Sequence, residues 1–220
     1  MVVMLHITII ILLLQSCYAT DDCFTVSDGV LASGKSCSGD IIIPNNVKSI
    51  AVNAFYGCTN ITSVTIPSSV TSIGNHAFFR CTGITSLFFE TDSQLMDIGE
   101  VAFSQCTNIA SVTIPSSVTS IGSHAFFQCR NILSVTFEQN SRLKNIGKSA
   151  FQGCTGITSI TIPAPVTSIG DYVLCQCRSL QSVYILSMNV TISSSSFDEC
   201  TNLSLISTKQ ENNITIPSVG

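Results

Sequence analysis

The stretch VTIPSSVTSIGNHAFFRC at 64–81 recurs as VTIPSSVTSIGSHAFFQC at 112–129, identical at sixteen of eighteen positions. A chain that repeats itself so closely is built from copies of one unit, so its period comes before its secondary structure. The marker is A-F-x-x-C, which appears as AFYGC ending at Cys58, AFFRC at Cys81, AFSQC at Cys106, AFFQC at Cys129 and AFQGC at Cys154. Degenerate copies end at Cys177 (VLCQC) and Cys200 (SFDEC). Successive cysteines lie 23, 25, 23, 25, 23 and 23 residues apart. A period in the twenties predicts a solenoid, in which no unit folds alone and each buries its core against its neighbours.

Within one unit the apolar positions define two extended arms and a turn. Ile61, Val64 and Ile66 in ITSVTIP follow L-x-x-L-x-L, whose last two positions alternate as a half-buried strand should. Pro67 ends that strand because it has no ladder donor. Val70 and Ile73 form a second short arm, and Gly74 is expected to allow the tight turn behind it. Ala77, Phe78 and Cys81 fall at i, i+1 and i+4, the face of a single helical turn. FFETDSQLMDIG (88–99) and TFEQNSRLKNIG (136–147) carry the two extra residues of the long units, in a charged turn that should bulge from one side. Short and long units therefore alternate as a duplicated 48-residue block.

The unit ITSVTIPSSVTSIGNHAFFRC resembles the BspA-type, or treponemal-type, leucine-rich repeat, with its L-x-x-L-x-I-P strand, S-V-x-x-I-G arm and A-F-x-x-C turn. The resemblance covers residues 41–206. It implies a leucine-rich-repeat solenoid, mostly β with short helical turns, of seven to eight repeats with one parallel sheet on the concave face. Known members are surface or secreted proteins implicated in adhesion to host matrix and cells. The function this implies is an adhesin-like protein-binding module, secreted or on the cell surface, with host protein or glycan as partner. The alternative is a repeat scaffold that self-associates into a surface coat.

The remaining regions are read as follows. Residues 1–19 form a signal peptide, with the apolar run Ile7–Leu14, too short to span a bilayer, and cleavage after Ala19. An uncleaved anchor, or a lipoprotein box ending at Cys17, are the other readings. Residues 20–40 form an amino-terminal capping hairpin around Asp28-Gly29. A bridge between its flanking Cys23 and Cys37 would contribute about 3 kcal/mol in the chain-entropy model. Residues 207–220 read as an incomplete last repeat without a clear cap, through which the chain could self-associate. No membrane insertion is expected after signal cleavage.

Composition narrows the function classes. Only 10% of residues are charged, the net charge is −4, and Ser and Thr fill the surface that Lys and Glu usually occupy. Basic residues are scattered singly, so no footprint for nucleic acid is present. The column Cys58, Cys81, Cys106, Cys129, Cys154, Cys177 and Cys200 is read as small core hydrophobes, because adjacent rungs hold their Cβ atoms too far apart to bridge. Cys175, at the outward position of Phe79 and Phe127, is read first as a simple substitution there, and is the candidate if any thiol is reactive. The spacings are whole repeats rather than metal clusters, so no metal or cofactor is expected. His76 and His124, about 10 Å apart by ladder spacing, lack a carboxylate partner, and no catalytic motif appears, so no enzyme is expected.

The surface remains. Outward strand positions form one column of serines (63, 86, 111, 134, 159 and 182) and a second column of Thr65, Phe88, Thr113, Thr136, Thr161 and Tyr184. Hydroxyl ladders of this kind can simply satisfy one another and stabilise the sheet; the other reading is a contact face on this column, where Phe88 and Tyr184 break the threonines with exposed aromatics, the type enriched at binding hot spots. Tyr56, Phe79 and Phe127 are expected to form a second apolar stripe on the turn side. Sequons at Asn60, Asn189, Asn202 and Asn213 permit glycosylation.

Overall fold

The computed structural model describes residues 23–208. The expected signal peptide and cleavage site, most of the segment read as an incomplete last repeat, and Asn213 lie outside the described residues.

A hairpin opens the fold, with β1 (Thr25–Ser27) antiparallel to β2 (Val30–Ser33). Asp28 and Gly29 at its tip both take positive φ, 50° and 76°, as a two-residue hairpin turn demands. Longer and shorter strands then alternate: β3 (Gly39–Ile42), β4 (Ser49–Ile50), β5 (Ile61–Ile66), β6 (Ser72–Ile73), β7 (Ser86–Phe89), β8 (Asp97–Ile98), β9 (Ser111–Ile114) and β10 (Ser120–Ile121). The series continues with β11 (Ser134–Phe137), β12 (Asn145–Ile146), β13 (Ser159–Ile162), β14 (Ser168–Ile169), β15 (Ser182–Ile185), β16 (Thr191–Ile192) and β17 (Leu205–Thr208). Like strands of successive rungs pair in parallel, giving a solenoid of about eight turns.

All eight inward positions read from 61–81 are at most 2% exposed. Each buried Ile, Val or Phe contributes about 1.5–3 kcal/mol, which is what stacking gives each unit. Phe55, Phe78, Phe103, Phe126 and Phe151 stack as a ladder with centroids 4.6–5.4 Å apart and rings within 8° of parallel. Phe24, just before β1, meets Phe55 edge-on at 6.3 Å at the end of this ladder. Cys23 and Cys37 are joined as a disulfide that ties down the opening hairpin.

Three local details differ from the sequence reading. The A-F-x-x-C segment is a run of turns rather than a helical turn. Ala77, Phe79 and Cys81 donate three residues back within their rung, while His76, Phe78 and Arg80 donate to the next rung, at Glu100, Ala102 and Ser104. Half the amides thus join rungs, which a helix would have spent internally. The alternation requires positive φ at two positions per turn, 58° at His76 and 59° at Arg80, with Gly57 and Gly153 serving the second in other rungs.

Gly74, second, has no positive φ. It and its equivalents are needed for close approach. A Cβ on Gly74 would lie 2.7 Å from the Val52 amide nitrogen, and one on Gly122 would lie 2.6 Å from that of Glu100.

Third, the short arms, not the long strands, make the continuous sheet, in the order β1-β2-β4-β6-β8-β10-β12-β14-β16. The long strands form three segments, β3-β5-β7, β9-β11 and β13-β15-β17.

Candidate functional site

The breaks between long-strand segments follow the duplicated block. Each falls after a long unit, and the longer turn explains why. Glu90 reaches back to accept from the Ser68 amide at 3.1 Å, and Gln94 donates from its amide to the Ser68 carbonyl. Glu138 and Arg142 repeat the arrangement on Ser116, with the Glu138 bond at 2.8 Å. Both bulged turns are therefore fastened to the rung before them. The rung after the first turn is tied to it by Ser117, whose Oγ donates to the Leu95 carbonyl at 2.7 Å, a bond that Pro165 cannot make to the second. In addition, the long units place half-buried Phe89 and Phe137 where short units bury Ile66, Ile114 and Ile162. A larger ring that leaves the core at that point wedges the next strand away.

The two breaks differ in their backbone bonding. Beside the long strands one backbone bond, from Ala110 to Thr85, still crosses from the β9 side to the β7 side, while the short arms β8 and β10 of the same rungs stay paired. Among the described residues no backbone bond joins β11 to β13, and a cleft of about 620 Å³ opens there. Val135, Phe137 and Ile160 give it an apolar floor, Thr136 and Thr161 stand on its two strands, and Pro163 and Pro165 form its far wall. The prolines matter because PAP replaces the PSS of the two earlier blocks, removing the Pro165 amide and the side-chain hydroxyls found there. Glu138 is the one charged lining residue, and its Oε2 is already held by Ser116.

The candidate contact column is thus divided among three sheet segments. Thr65 pairs with Phe88, Thr113 with Thr136, and Thr161 with Tyr184. Phe88 and Tyr184 are exposed, by 57% and 40%. They stand four rungs apart, about 19 Å at ladder spacing, and neither lines the cleft. Of the six residues, Thr136 and Thr161 are the two brought to one concavity. The hydroxyls of Thr113 and Thr136 bond to each other at 2.9 Å. At the start of the same face, hydrogen bonds from Ser63 and then Thr62 hold the Asp40 carboxyl below the usual carboxylate range. Sequence reasoning missed the cleft itself. Its signal was the Ile-to-Phe alternation at 66, 89, 114, 137 and 162 together with the change from PSS to PAP.

The cysteine column does more than fill space. Sγ of Cys81, Cys106, Cys129, Cys154 and Cys177 lies 2.9–3.3 Å from the Phe carbonyl oxygen of the preceding rung, and Cys58 donates to Gly34 and Lys35 at 3.8 Å. Cys200 does the same to Leu174. Each thiol satisfies the second lone pair of a buried carbonyl that already accepts one turn bond. Burial pushes the Cys154 thiol up to about 12 and raises Cys106, Cys129 and Cys177 as well. Cys175, the candidate for a reactive thiol, does not qualify: it is 4% exposed, and desolvation, then the charges of Glu199 and Asp198, push it up too. A thiol held protonated is a poor nucleophile.

On the turn side, the Tyr56 and Phe79 rings meet at a tilt of 48° with centroids 5.1 Å apart, but buried Ser104 interrupts the apolar stripe before Phe127. His76 and His124 pack edge-on against Phe79 and Phe127 in their own rungs. No group of three or more His, Cys, Asp or Glu side chains among the described residues is placed to hold a metal ion. No described helix is long and apolar enough to cross a membrane. Asn60, Asn189 and Asn202 are exposed.

With the geometry in place, known proteins give it a family. Among solved structures the chain is similar to a leucine-rich repeat protein of T. pallidum, at 23% identity over 87% of this chain and 83% of that one, with a TM-score of 0.58. That likeness concerns the fold. It is also similar to a leucine-rich repeat protein from Bacteroides ovatus (22% identity, 84% and 68% covered, TM-score 0.35) and to the pneumococcal vaccine antigen PcpA (17%, 78% and 69%, 0.43). No curated protein matches. Six copies of the BspA type leucine rich repeat region match residues 33–142 and 138–218, so the chain belongs to the BspA-type leucine-rich repeat family.

Proposed function

We propose that this chain is an adhesin-like protein-binding module, secreted or displayed on a cell surface, that grips a host protein through the cleft between β11 and β13. The observation that carries the reading is the cleft itself: an apolar floor between two threonine-bearing strands, with its one charge already engaged. An apolar concavity with a few convergent hydroxyls is the usual form of a recognition site. Phe88 and Tyr184 lie on the same face outside the cleft and would extend the contact along the stack.

Binding of the purified chain to matrix-coated and mucin-coated surfaces tests this. Thr161→Arg fills the cleft from an exposed strand position and should weaken matrix binding at least tenfold. The double variant Phe88→Ala, Tyr184→Ala should weaken it several-fold. If Thr161→Arg binds like the parent, the cleft is not the site. The scaffold alternative concerns the last rung, beyond Thr208, and requires particle size to grow with concentration in light scattering.

A further inference from the structure

A second concavity, of about 570 Å³, lies on the turn side of the solenoid, away from the cleft. Two adjacent columns build it, the second positive-φ position of each turn and the residue after the cysteine. In the first column Gly57 has no side chain and open space above it, which gives the groove its depth, and Arg80 and the amides of Gln105 and Gln128 follow. The second column runs through threonines to Arg130. Tyr56, 44% exposed, closes one end. No lining residue is acidic, although the protein's net charge is −4.

Arg80 is held ready rather than free. Its Nε donates to Gln105 Oε1 at 2.8 Å, and its guanidinium lies 5.0 Å from the Phe79 ring centroid. Phe79 in turn packs at a tilt against Tyr56. Arg80 is also one of the two positions at which the duplicated stretches differ, since its copy is Gln128. Arg130 likewise stands where Thr82 and Thr107 stand in neighbouring units. The two arginines stand in adjacent columns two rungs apart, about 10 Å along the stack, a rise on the scale of one disaccharide.

We infer that this groove binds an acidic oligosaccharide whose anionic groups recur on alternate sugars. The guanidinium groups would take the anions as charge-assisted pairs. Threonine hydroxyls and glutamine amides between them offer the donors and acceptors that sugar hydroxyls need, and the Tyr56 ring offers a face for a pyranose to lie on. A peptide would have little use for that density of side-chain hydroxyls and amides, so the glycan is favoured over an acidic peptide.

Titration calorimetry of the full chain tests this with four probes: a hyaluronan oligosaccharide (carboxylates), a heparin fragment (sulfates), a neutral chitin oligosaccharide of equal length, and poly-glutamate. Either acidic glycan should bind, more weakly as salt rises, and their order identifies the preferred anion. Arg80→Gln and Arg130→Thr each install a residue the repeat already tolerates at that position, so folding is retained. Each should weaken glycan binding about tenfold. Thr161→Arg should leave it unchanged, which separates failure of the groove from failure of the cleft. Equal binding of the neutral sugar, tighter binding of poly-glutamate, no binding of either acidic glycan, or full affinity in both arginine variants would overturn the inference.

Discussion

Gly122→Ala tests the claim that these glycines exist for contact between rungs. The new Cβ would lie 2.6 Å from both the Glu100 amide nitrogen and the Gly99 carbonyl carbon, against an ordinary contact of 3.4 Å or more. Neither neighbour is a side chain that can swing away. The rungs must therefore part by about 0.8 Å, the difference between those two distances. The bond from the Gly122 amide to the Ile98 carbonyl, 2.8 Å in the native ladder, would then stretch beyond hydrogen-bonding range. The adjacent Thr119-to-Met96 bond, also 2.8 Å, is strained with it. Overpacking costs about 1–3 kcal/mol and each lost bond about 1 kcal/mol, which gives about 2–4 kcal/mol in total. Because each rung touches only its neighbours, the damage should concentrate between the β8 and β10 rungs and lower cooperativity as well as midpoint. Urea unfolding followed by circular dichroism reads both effects. Gly57→Ala is the control, since nothing lies within 4 Å of its Cβ and only its φ of +73° is penalised, about 1 kcal/mol. If Gly122→Ala costs no more than Gly57→Ala, close approach is not what the recurrence of these glycines once per rung serves.

Three further outcomes follow from the turns and the thiol column. Val101 is a β-branched residue at φ 59°, where Asn53 stands in the first rung, so Val101→Asn should raise stability by about 1 kcal/mol in the same urea assay. Cys129→Ser keeps a donor to the Phe103 carbonyl and should fall between the parent and Cys129→Ala, which loses both donor and volume; equal losses for the two would rule out a role for the S–H bond. The raised thiols make the fold alkali-sensitive. Folded pKa values lie above the ordinary 9.0, so their contribution is complete below pH 9 and is lost as pH climbs toward about 12, the value for Cys154. Each thiol loses about 1.4 kcal/mol per pH unit over that window. Several act together, so the urea midpoint should collapse above pH 9, and a flat midpoint up to pH 11 would contradict the burial argument.

The sequence made the rung legible because a solenoid writes its core once per period. Ile61, Val64, Phe78 and Cys81 were placed inward from periodicity alone, and the register of the Ser and Thr columns followed from the same period. What it hid were properties of the contact between rungs. Ala77, Phe78 and Cys81 satisfy a helical spacing, but only the stacked backbone reveals that alternate amides are committed to the next rung, which forbids the helix. Gly74 looked like a turn residue because a missing Cβ serves a positive φ and a close neighbour equally well. Phe88 and Tyr184 were found as exposed aromatics, yet their separation by two sheet breaks depends on how the long turns latch backward through Glu90 and Glu138.

Those latches tie the duplication to the candidate sites. A uniform stack of 23-residue rungs would pair along its whole length and present two continuous faces without depth. Two extra residues in every second unit fasten its turn to the unit before, and its long strand is left unpaired with the long strand of the unit after, so each added block brings a seam in the long-strand sheet. A seam alone makes no large cleft, since the β7–β9 seam keeps a crossing bond at Thr85. The β11–β13 seam opens where the third block has lost its serines to Ala164 and Pro165. The turn-side groove has the same origin, a column in which one copy carries Arg80 and the other Gln128. In both places the repeated residues supply a rigid frame and the divergent ones supply the chemistry. Selection for binding can then act on a few positions without disturbing the core that holds them.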